Sequence, residues 1–347
     1  VSDLINGEAI RVLVVENVSA QRSRLAEVLN DEGDIIVAAQ LDNAADAIEQ
    51  VAQLRPDAVV LDLHLPGGQS QYTIEQVMAR TPTPILVLSA RTDNRDSPFA
   101  VQALVAGALE ALPRPQQWTA EQGAELRRTV RLISSVKVIR HPRGRLVSGP
   151  PRQVAPQPGC RPVVAMAAST GGPNALATIL AGLAGLQAPV LVVQHLHADF
   201  IAGLMQWMSR VSALPVEIAT RDQIIVPGRV YLAPAGTHLR LGVNRRLELH
   251  ERPITVHRPS ADELFTSVAD KAGPAGIGVL LTGMGEDGAQ GLLAIHRQRG
   301  ITLGQDEASS AVFGMPKAAE RLGAVTEMLP LGKLATAIQR AVRQVLR

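Results

Sequence analysis

Residues 163–176, VVAMAASTGGPNAL, read as a buried strand that runs directly into a helix. Six consecutive apolar residues leave no position for solvent, as in a parallel strand covered on both faces. Ser169, Thr170, Gly171 and Gly172 then make a tight turn, and Pro173 suits the first turn of a helix. A serine at such a junction stands at the carboxyl edge of a sheet, near helix N–H groups that lack intrahelical partners.

The same rhythm continues towards the C-terminus. PVLVVQH (189–195), VYLAP (230–234) and GIGVLLTGMG (276–285) read as strands. Helical segments lie between or after them at Asn174–Leu183, Phe200–Val211, Ala261–Lys271 and Ala289–Arg297. HLRLGVNRRLELHE (238–251) reads as a hairpin turning at Val243–Arg246, and ITLGQ (301–305) as the last strand, with helices to the end. Towards the N-terminus the rhythm recurs as RVLVV (11–15), IIVAA (35–39), DAVVLDL (57–63), PILVLS (84–89) and a weak fifth strand at Ala108–Leu112. Its helices are expected at Ala20–Leu29, Ala44–Leu54, Thr73–Ala79 and Phe99–Val105.

The expected fold is therefore α/β, with two doubly wound parallel-sheet domains at residues 9–118 and 161–347. Residues 119–160 read as a helix leaving the first domain, over 119–139, followed by the Pro- and Arg-rich linker HPRGRLVSGPPRQVAPQPG (141–159). Arg127 to Arg161 contains no acidic residue, which fits a solvated linker better than a docking face for an acidic partner.

Composition narrows the function. The chain has 347 residues, 46% of them hydrophobic, 19% charged and only 2% aromatic, so Val, Ile, Leu and Ala must build the cores. A net charge of +2, without interleaved Arg and aromatic residues, argues against nucleic acid. The lone Cys160 excludes an internal disulfide and fits a reducing compartment. No signal peptide is read at the start, and no run approaches the ~18 apolar residues of a membrane span. A cytoplasmic location without membrane insertion is expected.

In open parallel sheets, ligands bind outside the carboxyl ends of the strands. In the first domain those ends carry Glu16 and Asn17, Asp62, Ser89 and Arg114. This set resembles the receiver domain of bacterial response regulators. The resemblance implies that Asp62 accepts a phosphoryl group, that acids after the first strand hold a magnesium ion, and that Ser89 and the Arg114 position stabilise the phosphoryl oxygens. Asn17 and Arg114 stand where the family has an acid and a lysine. An amide removes one negative charge from a site that magnesium would share, and an arginine fork does not substitute neutrally for lysine. Weak or absent phosphorylation of Asp62 and a weakened magnesium site are the expectations.

In the second domain three strand ends bring Ser169, His195 and Asp287 to one edge. A serine hydroxyl needs a base, histidine serves near neutral pH, and the histidine needs an acceptor to orient it. Each residue alone has a simpler reading: Ser169 and Asp287 as helix N-caps, His195 as a structural histidine. A rival shares the same segment, because Gly283, Gly285 and Gly288 spell G-x-G-x-x-G between strand and helix, with Asp306 after the next strand. That is a dinucleotide fingerprint in context. A non-enzymatic regulator is the third reading.

ASTGGP, VVQH, VYLAPAGTHLRL, HRPSADELFTSVA, GVLLTGMGEDGAQGL and QDEASSAVFGMPKAA, spread over residues 161–330, closely resemble the chemotaxis protein-glutamate methylesterase family (CheB). The resemblance implies a Ser169–His195–Asp287 triad, a Met284 N–H in the oxyanion site, and Thr170 helping to orient it. It implies hydrolysis of glutamate methyl esters on chemoreceptors, with glutamine deamidation at the same site, and neither metal nor organic cofactor in the esterase site. A chemotaxis histidine kinase as partner, control by the receiver, and a monomeric chain also follow as expectations. Leu196 and His197 stand in place of the family's Met-Pro, and Thr255 in place of its Asn.

Overall fold

The computed structural model describes residues 9–65, 69–90, 97–136, 138 and 161–347. The Pro- and Arg-rich stretch at 141–159 and Cys160 lie outside the described residues. The chain divides into two compact units, Val1–Pro142 and Arg143–Arg347.

The first unit runs β1 (Ile10–Val15), α1 (Ser19–Asn30), β2 (Ile35–Leu41), α2 (Ala44–Leu54), β3 (Ala58–Asp62), α3 (Ser70–Arg80), β4 (Ile85–Ala90), α4 (Ser97–Ala106), β5 (Glu110–Arg114) and α5 (Ala120–Ser134). All strand pairs are parallel, in the order β2-β1-β3-β4-β5. Val12–Val15, Val59–Leu61 and Leu86–Leu88 are almost wholly buried, which explains their unbroken apolar runs. The strand order reverses between β1 and β3, so the ends of those strands flank the crevice where such sheets bind ligands.

One expectation changes here. The helix read as leaving the first domain is α5, and it completes that domain. It opens with a capping box between Thr119 and Gln122. Leu126, Val130 and Ile133 are fully buried. Arg127 Nη1 donates to Val28 O at 2.8 Å, and Arg131 pairs with Asp34 at 2.6 Å. The helical period was legible, but the acids that anchor it lie nearly a hundred residues earlier in the chain.

The second unit runs β6 (Val163–Ala168), α6 (Gly172–Ala181), β7 (Val190–Gln194), α7 (Ile201–Val211), β8 (Val216–Ile218), β9 (Val230–Leu232), β10 (His238–Leu241), β11 (Leu247–His250), α8 (Ala261–Ala272), β12 (Gly276–Leu280), α9 (Ala289–Arg297), β13 (Ile301–Gln305), α10 (Met315–Arg321), β14 (Glu327–Leu329) and α11 (Leu331–Val345). Seven parallel strands are ordered β14-β13-β12-β6-β7-β9-β8, and β10 and β11 form the expected antiparallel hairpin. ITLGQ is not the last strand: β14 pairs with it in register Leu303↔Glu327 to Gln305↔Leu329. Edge strands of three residues, β14 and β8, are too short to show a period, so the sequence hides them.

The three central strands, β12, β6 and β7, are buried along their whole length. From β6 the chain builds outward through β7 to β8, then returns to β12 and builds the other way. The reversal falls between β6 and β12, beside Ser169. Among the described residues, no helix is long and apolar enough to cross a membrane.

Candidate active site

Ser169 follows β6, and its backbone is fixed from both sides. Its N–H donates to Thr282 O at 3.0 Å, and its carbonyl accepts the Gly172 N–H at 2.8 Å. The helix cap is Gly171, with φ of 76° and no side-chain capping bond, so Ser169 is not an N-cap. A Cβ at Gly171 would fall 2.6 Å from Ala311 Cβ, and one at Gly283 would fall 2.7 Å from Ser169 Cβ. The turn and its neighbour are packed until only glycine fits.

His195 follows β7, and its N–H donates to Ala168 O at 3.0 Å, which ties it to the strand that carries Ser169. The preceding Gln194 is buried, and its Nε2 donates to both Ser169 O and His195 O at 2.9 Å. That clamp across two strand ends was not read from the sequence. Its signal is a single amide closing the apolar run VLVVQ. The His195 ring lies face to face with His257, with centroids 4.2 Å apart and planes 8° apart. His195 Nε2 is 2.8 Å from Asp287 Oδ2. The ring N–H is not aligned on that oxygen, so the two groups are in close contact, and a small ring rotation would turn the contact into a hydrogen bond. Nδ1 has no hydrogen-bond partner among the described residues.

Asp287 does not cap the helix that follows it. Its carboxylate sits on the N-terminus of α8. Oδ1 accepts the Ser260 hydroxyl at 2.8 Å and the Asp262 N–H at 3.0 Å, and Oδ2 accepts the Ala261 N–H at 2.7 Å. In exchange, Asp262 Oδ1 accepts the Gly291 N–H of α9 at 2.7 Å. The two helices thus swap caps: an acid leading into α9 closes α8, and an acid in the first turn of α8 closes α9. Burial pushes Asp287 up, but the His195 contact and the α8 donors outweigh it and hold the carboxyl far below the usual range. For Asp262 burial wins, with the Asp287 charge adding to it and the Gly291 N–H opposing, and its pKa is raised.

The swap also disposes of the dinucleotide reading. A pyrophosphate would need the α9 N-terminus, and the Asp262 carboxylate already fills it. Gly283 O accepts the Gly314 and Met315 N–H groups, and Asp306 Oδ1 is spent on a local turn with Ser309 at 2.6 Å.

Thr170 is buried, and its carbonyl accepts the Thr282 hydroxyl at 2.9 Å. The Thr170 and Met284 N–H groups have no acceptor among the described residues. Uncommitted donors next to the serine and on the neighbouring Gly283 turn are what an oxyanion requires. Among the described residues no group of three or more His, Cys, Asp or Glu side chains is placed to hold a metal ion.

In the first unit, Glu16, Asp62 and Ser89 are buried at the ends of β1, β3 and β4. Arg114, the last residue of β5, reaches between the two acids. Its Nη1 makes a short ion pair with Glu16 Oε2 and lies 3.4 Å from Asp62 Oδ2. Glu16 Oε1 accepts the Val18 N–H at 2.9 Å. Asn17 is exposed. Both Asp62 carboxylate oxygens and Ser89 Oγ are buried without a hydrogen-bond partner among the described residues. His64, not singled out from the sequence, places Nδ1 3.9 Å from Asp62 Oδ1. Burial pushes Asp62 up, the Arg114 charge opposes, the Glu16 charge adds, and the pKa is raised.

Comparison with known proteins gives the same division. Residues 164–338 match the family described as CheB methylesterase, and residues 12–120 match the response regulator receiver domain. The chain is 43% identical to protein-glutamate methylesterase/protein-glutamine glutaminase 2 of Anaeromyxobacter dehalogenans, over 97% of each chain. It is 40% identical to the protein-glutamate methylesterase FrzG of Myxococcus xanthus, over 86% of this chain and 88% of that one. The crystal structure of the Thermotoga maritima CheB methylesterase catalytic domain superposes with a TM-score of 0.50 at 32% identity, covering 52% of this chain and 98% of that one.

Proposed function

Since the chain belongs to the CheB methylesterase family and carries a receiver domain, we propose that it hydrolyses glutamate methyl esters on chemoreceptors through Ser169, His195 and Asp287. The observation that carries this is the 2.8 Å contact between His195 Nε2 and Asp287 Oδ2, on a strand end tied by backbone to the one bearing Ser169. Asp287 holds one ring nitrogen and leaves Nδ1 to take the Ser169 proton. Ser169 Oγ attacks the ester carbonyl, and the negative oxygen meets the Met284 and Thr170 N–H groups. The imidazolium returns its proton to the methoxy oxygen, and methanol leaves an acyl-serine. Water, deprotonated by the same nitrogen, attacks the acyl carbon, and Ser169 leaves with the proton to free the receptor carboxylate. With a glutamine side chain the leaving group is ammonia and the acyl-serine is the same. No metal or organic cofactor enters these bond changes.

Ser169→Ala should lower methanol release from methylated receptor by about 10,000-fold or more, with the circular dichroism spectrum unchanged. Retained turnover refutes the assignment.

For the receiver, the residues do not fit a magnesium ion. The Arg114 guanidinium lies between Glu16 and Asp62, and Asn17 supplies no charge. Asp62 is therefore a poor phosphoryl acceptor from a chemotaxis histidine kinase, and the receiver acts on the esterase without robust phosphorylation. Methanol release measured with and without a small phosphodonor tests this, since strong stimulation contradicts it.

A further inference from the structure

We propose that Ser260 and His238 are positioning residues that act on the reaction through Asp287. The inference rests on the hydrolase reading of Ser169, His195 and Asp287. Ser260 precedes α8, and its Oγ accepts the Glu263 N–H at 3.4 Å. An oxygen used as acceptor there turns its own proton outward, and that proton goes to Asp287 Oδ1 at 2.8 Å. With the Ala261 and Asp262 N–H groups, three donors fix the carboxylate before His195 approaches. The carboxylate cannot swing to follow the ring. Its one remaining contact, Oδ2 to His195 Nε2, is therefore set by α8.

His238 sets Ser260 in turn. It is fully buried. Its Nδ1 accepts the Ser260 N–H at 3.1 Å, so that nitrogen carries no proton. Nε2 then carries the proton and donates to Pro253 O at 2.8 Å. The ring is a neutral spacer with its tautomer fixed at both ends. Pro253 and Ser260 bracket the segment that carries His257, whose ring stacks on His195. One buried imidazole thus holds both supports of the catalytic histidine: the stacked ring on its face and the capped carboxylate at its edge. A simple helix cap would need neither the hydroxyl proton on Asp287 nor a buried histidine behind the cap.

The test uses the full chain and two readouts. One is the rate at which a serine-directed fluorophosphonate labels Ser169, normalised to the folded fraction from circular dichroism. The other is kcat and KM for methanol release from methylated receptor. Ser260→Ala should lower the labelling rate and kcat together by about 10- to 100-fold, the loss typical when a hydrogen-bonded support behind a reacting group is removed, with KM within about twofold. Ser260→Thr keeps the hydroxyl and should recover to within about threefold of wild type. His238→Asn keeps an acceptor for the Ser260 N–H and should fall between the two. Equal labelling per folded molecule in wild type and Ser260→Ala overturns the proposal alone. A labelled wild type that releases no methanol overturns the methylesterase reading alone. An unlabelled wild type overturns both.

Discussion

Two aspartates, Asp62 buried and Asp287 partly buried, stand at carboxyl edges of parallel sheets in this chain, and the fold treats them in opposite ways. Asp287 receives three aligned donors from Ser260, Ala261 and Asp262 and touches His195, and it is held an anion. Asp62 has no hydrogen bond to either oxygen among the described residues, a guanidinium at 3.4 Å shared with Glu16, and a raised pKa. Burial pushes both up, so burial does not decide. What decides is the partners each carboxylate meets: for Asp287 the His195 contact first, and then the α8 N–H groups aimed at it. A fixed anion suits a residue that must orient a base for many turnovers. A carboxylate that is short of partners is strained in its charged form, and here the nearest cation is the Arg114 guanidinium, shared with Glu16.

The largest effect that could break this comparison is at Asp287. Asp287→Asn keeps the shape but reverses half of the hydrogen bonding. It should lower kcat by about 10,000-fold, as loss of the orienting acid does in hydrolytic triads, and cost about 3 kcal/mol of stability through the α8 donors left unpaired. The pH dependence has a definite sign. A carboxyl whose folded pKa lies below its unfolded value stabilises fully above the unfolded value and loses that contribution only as pH falls through the folded one. The stability gap between wild type and Asp287→Asn should therefore be level from neutral pH down to about the ordinary aspartate value of 3.9 and shrink below it. A gap that closes at pH 6 in thermal melts contradicts the picture.

Much of this was legible beforehand and some was not. The parallel strands announce themselves because burial on both faces removes every polar position, as in VVAMAA and VLVVQ. Strand ends in such sheets converge, so Ser169, His195 and Asp287 could be placed at one edge without knowing a distance. The supports could not. Ser260, Asp262 and His238 reach the site through a helix that begins 26 residues before Asp287. A signal did exist in SADE, a serine three residues ahead of an acid, the usual mark of a helix start. It says where a helix begins but not which carboxylate closes it. Arg114 poses the same difficulty. Its identity showed that the receiver departs from its family, but only the fold shows the guanidinium lying between Glu16 and Asp62.

The next prediction sharpens the receiver half. Asn17→Asp combined with Arg114→Lys restores the missing acid and withdraws the fork. The double variant should take up phosphate from acetyl phosphate in a magnesium-dependent manner, at least about tenfold faster than wild type if one charge at the metal site is worth 1.4 kcal/mol or more. An unchanged, magnesium-independent rate would mean that Arg114 is not the obstacle. The smallest effect concerns Asp62 itself. A raised folded pKa means that the folded chain holds the proton more tightly than the unfolded one, so stability attributable to Asp62 falls as pH rises past the ordinary aspartate value. Asp62→Asn should raise the melting temperature of the first unit by a few degrees at pH 8 and by less at pH 4. A melting temperature lowered at both pH values would show that the Arg114 contact outweighs burial.

The exchange of caps between α8 and α9 has a consequence for evolvability. Many enzymes hold catalytic groups in conformations that work against the fold, so sequences selected for robustness drift away from activity. Here the acid that orients the base also closes one helix, and the acid that answers it closes the other. Amides at these two helix starts should exchange with deuterium as one cooperative unit, opening only when both clasps release together. A library screened for thermal robustness alone would then keep the aspartate without ever being asked about turnover.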